Sequence, residues 1–318
     1  MVKIGVIGAG GNGSGHARYY EGCPRSTVVG VADPDRERAQ KLAGEVSAEA
    51  CEDFRDLLDG VDAVVISSPN HLHRDHAVAC AEAGKHIYCE KPMGMDSGQA
   101  EQIAGAVRRA GVRAVVGFSV RFGPVIQTML NRVRDGQVGE VWSIFARRMG
   151  YMDPGRGTGW RADHALSGGV LFEISIHELD WIMALGGALQ SVYGQKLAVR
   201  SDYQRANDHV WCTLSFQSGA VGTLEGSSVS HASAYDRGVL GSEGALVTTD
   251  WGRRLACCEG GKQQGELELD ERFDLRAHFL DCIEQGAAPV ADAEWGLKVT
   301  RAADAIIQSA VSGRAVEL

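Results

Sequence analysis

Val2-Lys3-Ile4-Gly5-Val6-Ile7 runs directly into Gly8-Ala9-Gly10-Gly11-Asn12-Gly13. The first six residues are apolar and β-branched at most positions, the composition of a short parallel strand buried on both faces. A helical stretch follows the glycines, from about Ser14 to Glu21. Strand, glycine turn and helix in this order make a dinucleotide-binding fingerprint. Gly8 permits the tight turn, Gly10 lets the backbone approach a pyrophosphate, and Gly13 lets the helix pack close to the strand. Gly11 and Asn12 complete the loop. The helix N-terminus then offers N–H groups and the positive end of its dipole to the phosphates.

Working outward, Thr27–Ala32 is a second apolar strand and ends in Asp33, twenty residues after Gly13. A carboxylate there accepts hydrogen bonds from ribose hydroxyls and repels a 2′-phosphate, which favours NAD. Arg36 and Arg38 leave NADP open. A plainer reading makes this a glycine turn of some other α/β protein, with Asp33 as a helix cap.

The alternation continues. Val61–Ser67 reads as a strand ending in Ser68-Pro69-Asn70, and Asp75–Ala83 as a helix stopped by Gly84. His86–Cys89 is a strand ending at Glu90-Lys91-Pro92, Gln99–Arg109 a helix stopped by Gly111, and Ala114–Phe118 another strand. Repeated βα units with short links predict a parallel, doubly wound sheet. Ligands of such sheets bind beyond the carboxyl ends of the strands. Gly8–Gly13, Asp33, Pro69–Asn70 and Glu90–Pro92 all fall there.

After Gly136 and Gly139 the pattern changes. Glu140–Arg147, Gln190–Val199, His209–Phe216, Ala220–Ser227, Asp236–Gly241 and Ala245–Thr249 read as strands, several joined by short turns. This predicts antiparallel sheet. Between them lies a helical stretch from Gly169 to about Leu185, with Glu173 and His177 four apart on one face and Asp180 three further on. An imidazole between two carboxylates suits removal of a hydroxyl proton. A last amphipathic helix spans about Glu294 to Val311.

The chain has 318 residues, 44% apolar and 23% charged, with a net charge of −9. That is the profile of an ordinary soluble globular protein, with two domains expected. No basic stretch supports a nucleic-acid partner, and no apolar run is long enough to span a membrane. Eight scattered cysteines without a CxxC pair point to a reducing cytoplasm. His71, His73 and His76 cluster, but no cysteine or acidic set completes a metal site, and none is expected.

Four landmarks in order carry a family resemblance. They are the glycine motif; Ser68-Pro69-Asn70 with His73; Glu90-Lys91-Pro92; and Trp160-Arg161 leading to Ser167-Gly168-Gly169 and His177-Glu178-Leu179-Asp180. Over essentially its whole length the chain resembles the glucose–fructose oxidoreductase / inositol dehydrogenase / MocA family. The resemblance implies a Rossmann domain over residues 1–120 and an α/β domain with a large, mostly antiparallel open sheet over 121–292. The helix at about 293–313 would pack back on the first domain. It also implies NAD(P)-linked oxidation or reduction of a sugar or cyclitol, and a homodimer or homotetramer.

The site residues follow from the same resemblance. Lys91 stabilises alkoxide-like charge, His177 is the general base, and Glu173 binds substrate or orients His177. Ser68, Pro69, Asn70, His73, Glu90 and Lys91 border the cofactor. Trp160, Arg161, Glu173, His177 and Asp180 face the substrate, with His164 and Tyr235 as lesser candidates. Asp180 reads equally well as the partner of a nearby arginine. The family's usual pattern has Asp where this chain has Glu173 and Gly where it has Ser175, which weakens the carry-over for Glu173. Two other functions stay open: a glycosidase using transient oxidation, and a non-catalytic dinucleotide-binding regulator.

Overall fold

Six parallel strands form the first sheet of the computed structural model, which describes residues 1–151, 159–198 and 209–318. They are β1 (Val2–Ile7), β2 (Ser26–Ala32), β3 (Glu49–Cys51), β4 (Ala63–Ile66), β5 (His86–Glu90) and β6 (Ala114–Gly117). Their spatial order is β3-β2-β1-β4-β5-β6. The order reverses direction between β1 and β4, the crevice where such sheets bind ligands. Helices α1 (Gly11–Glu21), α2 (Arg36–Glu45), α3 (His73–Glu82) and α4 (Ser97–Ala110) link the strands. All four residues of β4 and all four of β6 are buried, which is why these strands read as unbroken apolar runs. β3 has no such run. Two of its three residues are exposed at the sheet edge, and it is legible only in the structure.

The chain divides into two units. The first is Met1–Gly117 with Leu275–Thr300; the second is Phe118–Asp274 with Arg301–Leu318. The second unit begins with α5 (Pro124–Arg134), β7 (Val141–Tyr151) and the single turn α6 (His164–Ser167), followed by α7 (Ile176–Gly186). Next come β8 (Leu189–Leu197), β9 (His209–Phe216), β10 (Val221–Ser227) and β11 (Val229–Gly241). β12 (Ala245–Thr249), β13 (Arg254–Glu259) and β14 (Lys262–Glu266) follow. Helix α8 (Leu275–Glu284) and the start of α9 (Ala293–Ser312) return to the first unit, and a last short strand, β15 (Val316–Glu317), belongs to the second.

The nine strands are ordered β14-β13-β12-β11-β7-β10-β9-β8-β15. Among the described residues every pairing of this sheet is antiparallel except β7 with β10. The expected strand Gln190–Val199 is β8; its end at Val199 lies outside the described residues. The register alternates faces. Tyr193, Thr213, Thr223 and Phe145 form one cross-strand row, and Gln195, Trp211, Glu225 and Arg147 the next. These rows bound an open cavity of about 420 Å³ on the outward face. Val192, Leu214, Leu224 and Ile144 point the other way and are buried.

Glycines set the packing of α9. A Cβ on Gly296 would meet the Met93 sulfur at 2.8 Å and Val116 at 2.9 Å, so the start of the helix lies hard against the first unit's sheet. Further along, Ser309 Oγ accepts from the Gly194 N–H at 2.9 Å on β8. The helix therefore divides at Thr300 between the two units.

Candidate active site

In the first unit the glycine turn is fixed by sterics. Gly8 has φ +99°, and a Cβ there would lie 2.8 Å from the Ser67 carbonyl. A Cβ on Gly13 would come within 1.8 Å of the Gly8 carbonyl oxygen. Gly10 and Gly11 are different: among the described residues, nothing beyond their chain neighbours and the helix's own backbone lies within 4 Å of a Cβ on either. α1 starts at this open backbone, its N-cap Gly10 makes no side-chain cap, and no acidic residue stands in its first turn. An uncapped helix start with unobstructed backbone fits a pyrophosphate. The residues present therefore fit a dinucleotide.

Asp33 is 7% exposed. Its Oδ2 accepts from the Ala9 N–H and its Oδ1 from the Asp35 N–H, both at 2.9 Å. It thus ties the glycine loop to the end of β2, and each oxygen keeps acceptor capacity for a ligand hydroxyl. The two arginines that left NADP open both face acids. Arg38 Nε donates to Asp35 Oδ2 at 2.7 Å, and Arg36 Nε lies 3.9 Å from Glu52.

At the end of β4, Asn70 is buried and begins a short 3₁₀ turn to Leu72. Ser68 Oγ and His76 Nδ1 are 2.9 Å apart. Burial, then the charge of His73, pushes the His76 imidazole down to about 4. His73 is 1% exposed, with Nδ1 2.6 Å from the Pro92 carbonyl oxygen and Nε2 2.9 Å from that of Ser68. Its ring is committed to backbone. Among the described residues no three His, Cys, Asp or Glu side chains converge as metal ligands do.

Glu90, at the end of β5, reaches across to α1, where His16 Nε2 lies 2.8 Å from its Oε1. Burial raises the Glu90 carboxyl, but the His16 hydrogen bond and the nearby charges of His16, Lys91 and His73 outweigh it. The group is held below the ordinary carboxylate range. Lys91 follows directly in the chain.

In the second unit, the segment expected as one helix from Gly169 is broken. Leu171–Ser175 forms a π turn, and α7 proper starts at Ile176. The wider turn puts more than four residues in each revolution, so Glu173 is rotated from the regular i,i+4 position relative to His177. Glu173 Oε2 accepts from Arg161 Nε at 3.3 Å, and Arg161 lies over the Trp160 ring at 4.3 Å. The unexpected Ser175 has a structural complement. A Cβ on Gly226 of β10 would sit 1.9 Å from Ser175 Oγ, so only glycine there leaves room for this hydroxyl.

His177 lies on α7 and is 8% exposed. Asp180 is fully buried, its Oδ2 3.1 Å from Arg121 Nε, so it is an arginine's partner. Glu178, 1% exposed at its side chain, accepts from Trp181 Nε1 at 2.6 Å and from Arg237 Nε and Nη2 at 2.8 and 2.6 Å. Arg237 also donates to the Tyr235 hydroxyl. Tyr235 therefore supports this network. His164 heads α6 and is held below the ordinary imidazole range by burial and then by Lys196.

Sequence reading missed His16, Arg121 and Arg237. His16 carried a signal, since it falls three residues after Gly13 on the face that continues through Ala17 and Tyr20, all buried. Arg121 and Arg237 pair over 59 residues with Asp180 and Glu178, and no local pattern marks them.

Comparison with known proteins agrees with this architecture. The family described as "Oxidoreductase family, NAD-binding Rossmann fold" matches residues 2–118. Its companion, "Oxidoreductase family, C-terminal alpha/beta domain", matches 131–318. The chain is 29% identical over 309 residues to scyllo-inositol 2-dehydrogenase (NAD(+)) of Bacillus subtilis (strain 168), covering 91% of this chain and 88% of that one. It is also 29% identical over 234 residues to 2,7-anhydro-N-acetylneuraminate hydratase of Escherichia coli (strain K12), covering 72% of this chain and 62% of that protein. A levoglucosan dehydrogenase solved with NADH and levoglucosan shares the fold, with a TM-score of 0.90 at 23% identity over 99% of both chains. The chain belongs to the glucose–fructose oxidoreductase / inositol dehydrogenase / MocA family of oxidoreductases, with its NAD-binding Rossmann fold and C-terminal α/β domain.

Proposed function

We propose that this protein oxidises a secondary hydroxyl of a sugar, sugar derivative or inositol, or reduces the matching carbonyl, with NAD as its redox partner. The observation that carries the reading is the open, uncapped backbone at Gly10 and Gly11, at the switch point of a family-typical sheet. Gly8, Gly10, Gly11, Asn12 and Gly13 hold the pyrophosphate, and Asp33 the adenosine ribose. Ser68, Pro69, Asn70 and Glu90 line the nicotinamide side, while His73 shapes that wall through backbone. The acids opposite Arg36 and Arg38 support NAD over NADP.

NAD, when bound, supplies the hydride acceptor. His177 takes the hydroxyl proton as the carbinol carbon loses its hydrogen with both electrons. Lys91 stabilises the negative charge that builds on the oxygen. Glu173, with Arg161 and Trp160, contacts the sugar hydroxyls and C–H faces. Asp180 holds α7 through Arg121. The names of the inositol and levoglucosan dehydrogenases support a polyol substrate.

The test is NAD reduction, followed by absorbance, over a panel of inositols, monosaccharides and glycosides. NADH formation with at least one member is expected. A panel that yields none overturns the proposal. The hydratase relative motivates a second reading, in which product appears without net NADH; the same assay separates the two. Nothing among the relatives named here supports a glycosidase.

The eight free thiols support a cytoplasmic location. Among the described residues no helix is long and apolar enough to cross a membrane. The outward sheet face supports a homo-oligomer: Tyr193 is 39% exposed and Trp211 38%. Trp211→Arg is expected to shift the mass measured by light scattering toward the monomer. An unchanged oligomer would place the interface elsewhere.

A further inference from the structure

Lys91 sits between two residues that are each gripped by a histidine from another element. Before it, the Glu90 carboxylate meets His16 Nε2 at 2.8 Å. After it, the Pro92 carbonyl oxygen lies 2.6 Å from His73 Nδ1. We propose that His16 and His73 are positioning residues that fix the Lys91 ammonium by bracing the chain on both sides of it. The inference rests on the reading of Lys91 as the residue that stabilises charge on the substrate oxygen.

The geometry of each brace excludes a packing role alone. His16 is 6% exposed, and its ring centroid lies 4.8 Å from that of Tyr88. Its buried Nδ1 nevertheless meets no partner among the described residues. An unsatisfied buried nitrogen is costly. The compensating feature is Nε2, which must donate, because a carboxylate only accepts. The carboxylate is confined on its other side too. A Cβ on Gly117, at the end of β6, would lie 3.2 Å from both of its oxygens. Glu90 is thus clamped between α1 and β6.

His73 works at the second contact. Its ring spans two carbonyl oxygens, of Ser68 after β4 and Pro92 after β5. Carbonyls accept only, so the neutral ring donates to one and the protonated ring to both. With its proton on Nδ1 the neutral ring donates to Pro92, and this ties the loop after β5 to the start of α3, which follows β4. His16 and His73 come from helices that follow different strands, so the Glu90–Pro92 segment is held from two sides.

The test uses the full chain with a substrate identified by the panel. His16→Leu removes the donor, His16→Gln returns an amide donor, and Lys91→Met tests the underlying assignment. Three readouts are taken: kcat, KM for NAD, and the acylation rate of Lys91 relative to Lys3 and Lys85 by peptide mass spectrometry. His16→Leu is expected to lower kcat about 10- to 100-fold with KM for NAD within about twofold, since small misplacement of a working group is costly. It should also change the relative acylation rate of Lys91. His16→Gln should recover most of kcat.

If His16→Leu does not fold, His16→Gln carries the test, through near-wild-type kcat and near-wild-type Lys91 acylation. Full kcat in His16→Leu with an inactive Lys91→Met overturns the brace and leaves the Lys91 assignment standing. So does a loss in His16→Leu that leaves Lys91 acylation unchanged. Full kcat in Lys91→Met overturns the assignment and the brace together.

Discussion

Replacing His177 by Asn is expected to lower kcat about 10²- to 10⁴-fold while leaving NADH affinity within about twofold, the range a positioned general base contributes. Asn is close in size and cannot take a proton near neutral pH. α7 should tolerate it, because the helix is anchored through other side chains. Glu178 binds Arg237, Asp180 pairs with Arg121, and Trp181 and Ile182 are fully buried. Steady-state rates with a panel-identified substrate give kcat, and NADH fluorescence titration gives the affinity. A thermal melt confirms the fold. Retained turnover would remove His177 from the mechanism. A parallel loss of NADH affinity and melting temperature would make its role structural.

Glu178 should show the largest effect on stability. Its carboxylate is 1% exposed and meets three N–H donors at 2.6–2.8 Å, with Arg148 Nη1 at 3.6 Å. Glu178→Leu leaves Arg237, 5% exposed at its side chain, as a buried charge without this counter-ion. Breaking one side of a buried pair costs about 3–5 kcal/mol, more than the pair itself contributes. Chemical denaturation at pH 7 should show a loss of that order. The double variant Glu178→Leu/Arg237→Leu should be less destabilised than the sum of the two single changes. A loss below about 1 kcal/mol in Glu178→Leu would contradict this account.

The same network sets a pH dependence. Burial raises the Glu178 carboxyl, but the charge and hydrogen bonds of Arg237, with Arg148 and Trp181, hold it below the ordinary value of 4.5. A group depressed in the folded state contributes stability that is fully present above its unfolded value and lost as pH falls through the folded one. Glu90 behaves likewise. The contribution should therefore be intact at pH 7 and shrink below about pH 4.5. In Glu178→Leu this part of the acid slope should be smaller than in the wild type.

The first unit was the more legible because its constraints are local. Gly8 and Gly13 are glycines because a Cβ would strike the neighbouring backbone, and that need shows in a single sequence. Strands buried on both faces read as apolar runs, as β4 and β6 do. β3 escaped because an exposed three-residue edge strand has no such pattern. Asp33 was found from its spacing, but not its grip on the Ala9 and Asp35 N–H groups, which depends on the folded loop.

The second unit hides more. Helical spacing put Glu173 and His177 on one face, whereas the π turn at Leu171–Ser175 changes their phase. That turn adjoins the close approach of Ser175 to Gly226, a contact between residues 51 positions apart. Periodicity cannot register it. Asp180 had an arginine partner as one of its readings, yet nothing in the local sequence selected Arg121. The parallel pairing of β7 with β10 is likewise a long-range choice that alternation alone leaves open.

Hydride transfer to NAD is tested by following the hydrogen itself. A substrate found by the panel is prepared with deuterium on the carbinol carbon and incubated with the enzyme and NAD, and the dinucleotide is analysed by mass spectrometry. Reduced dinucleotide carrying one deuterium, formed in step with the ketone, is the expected result. Product that appears while the dinucleotide stays oxidised, or reduced dinucleotide without the label, would contradict it.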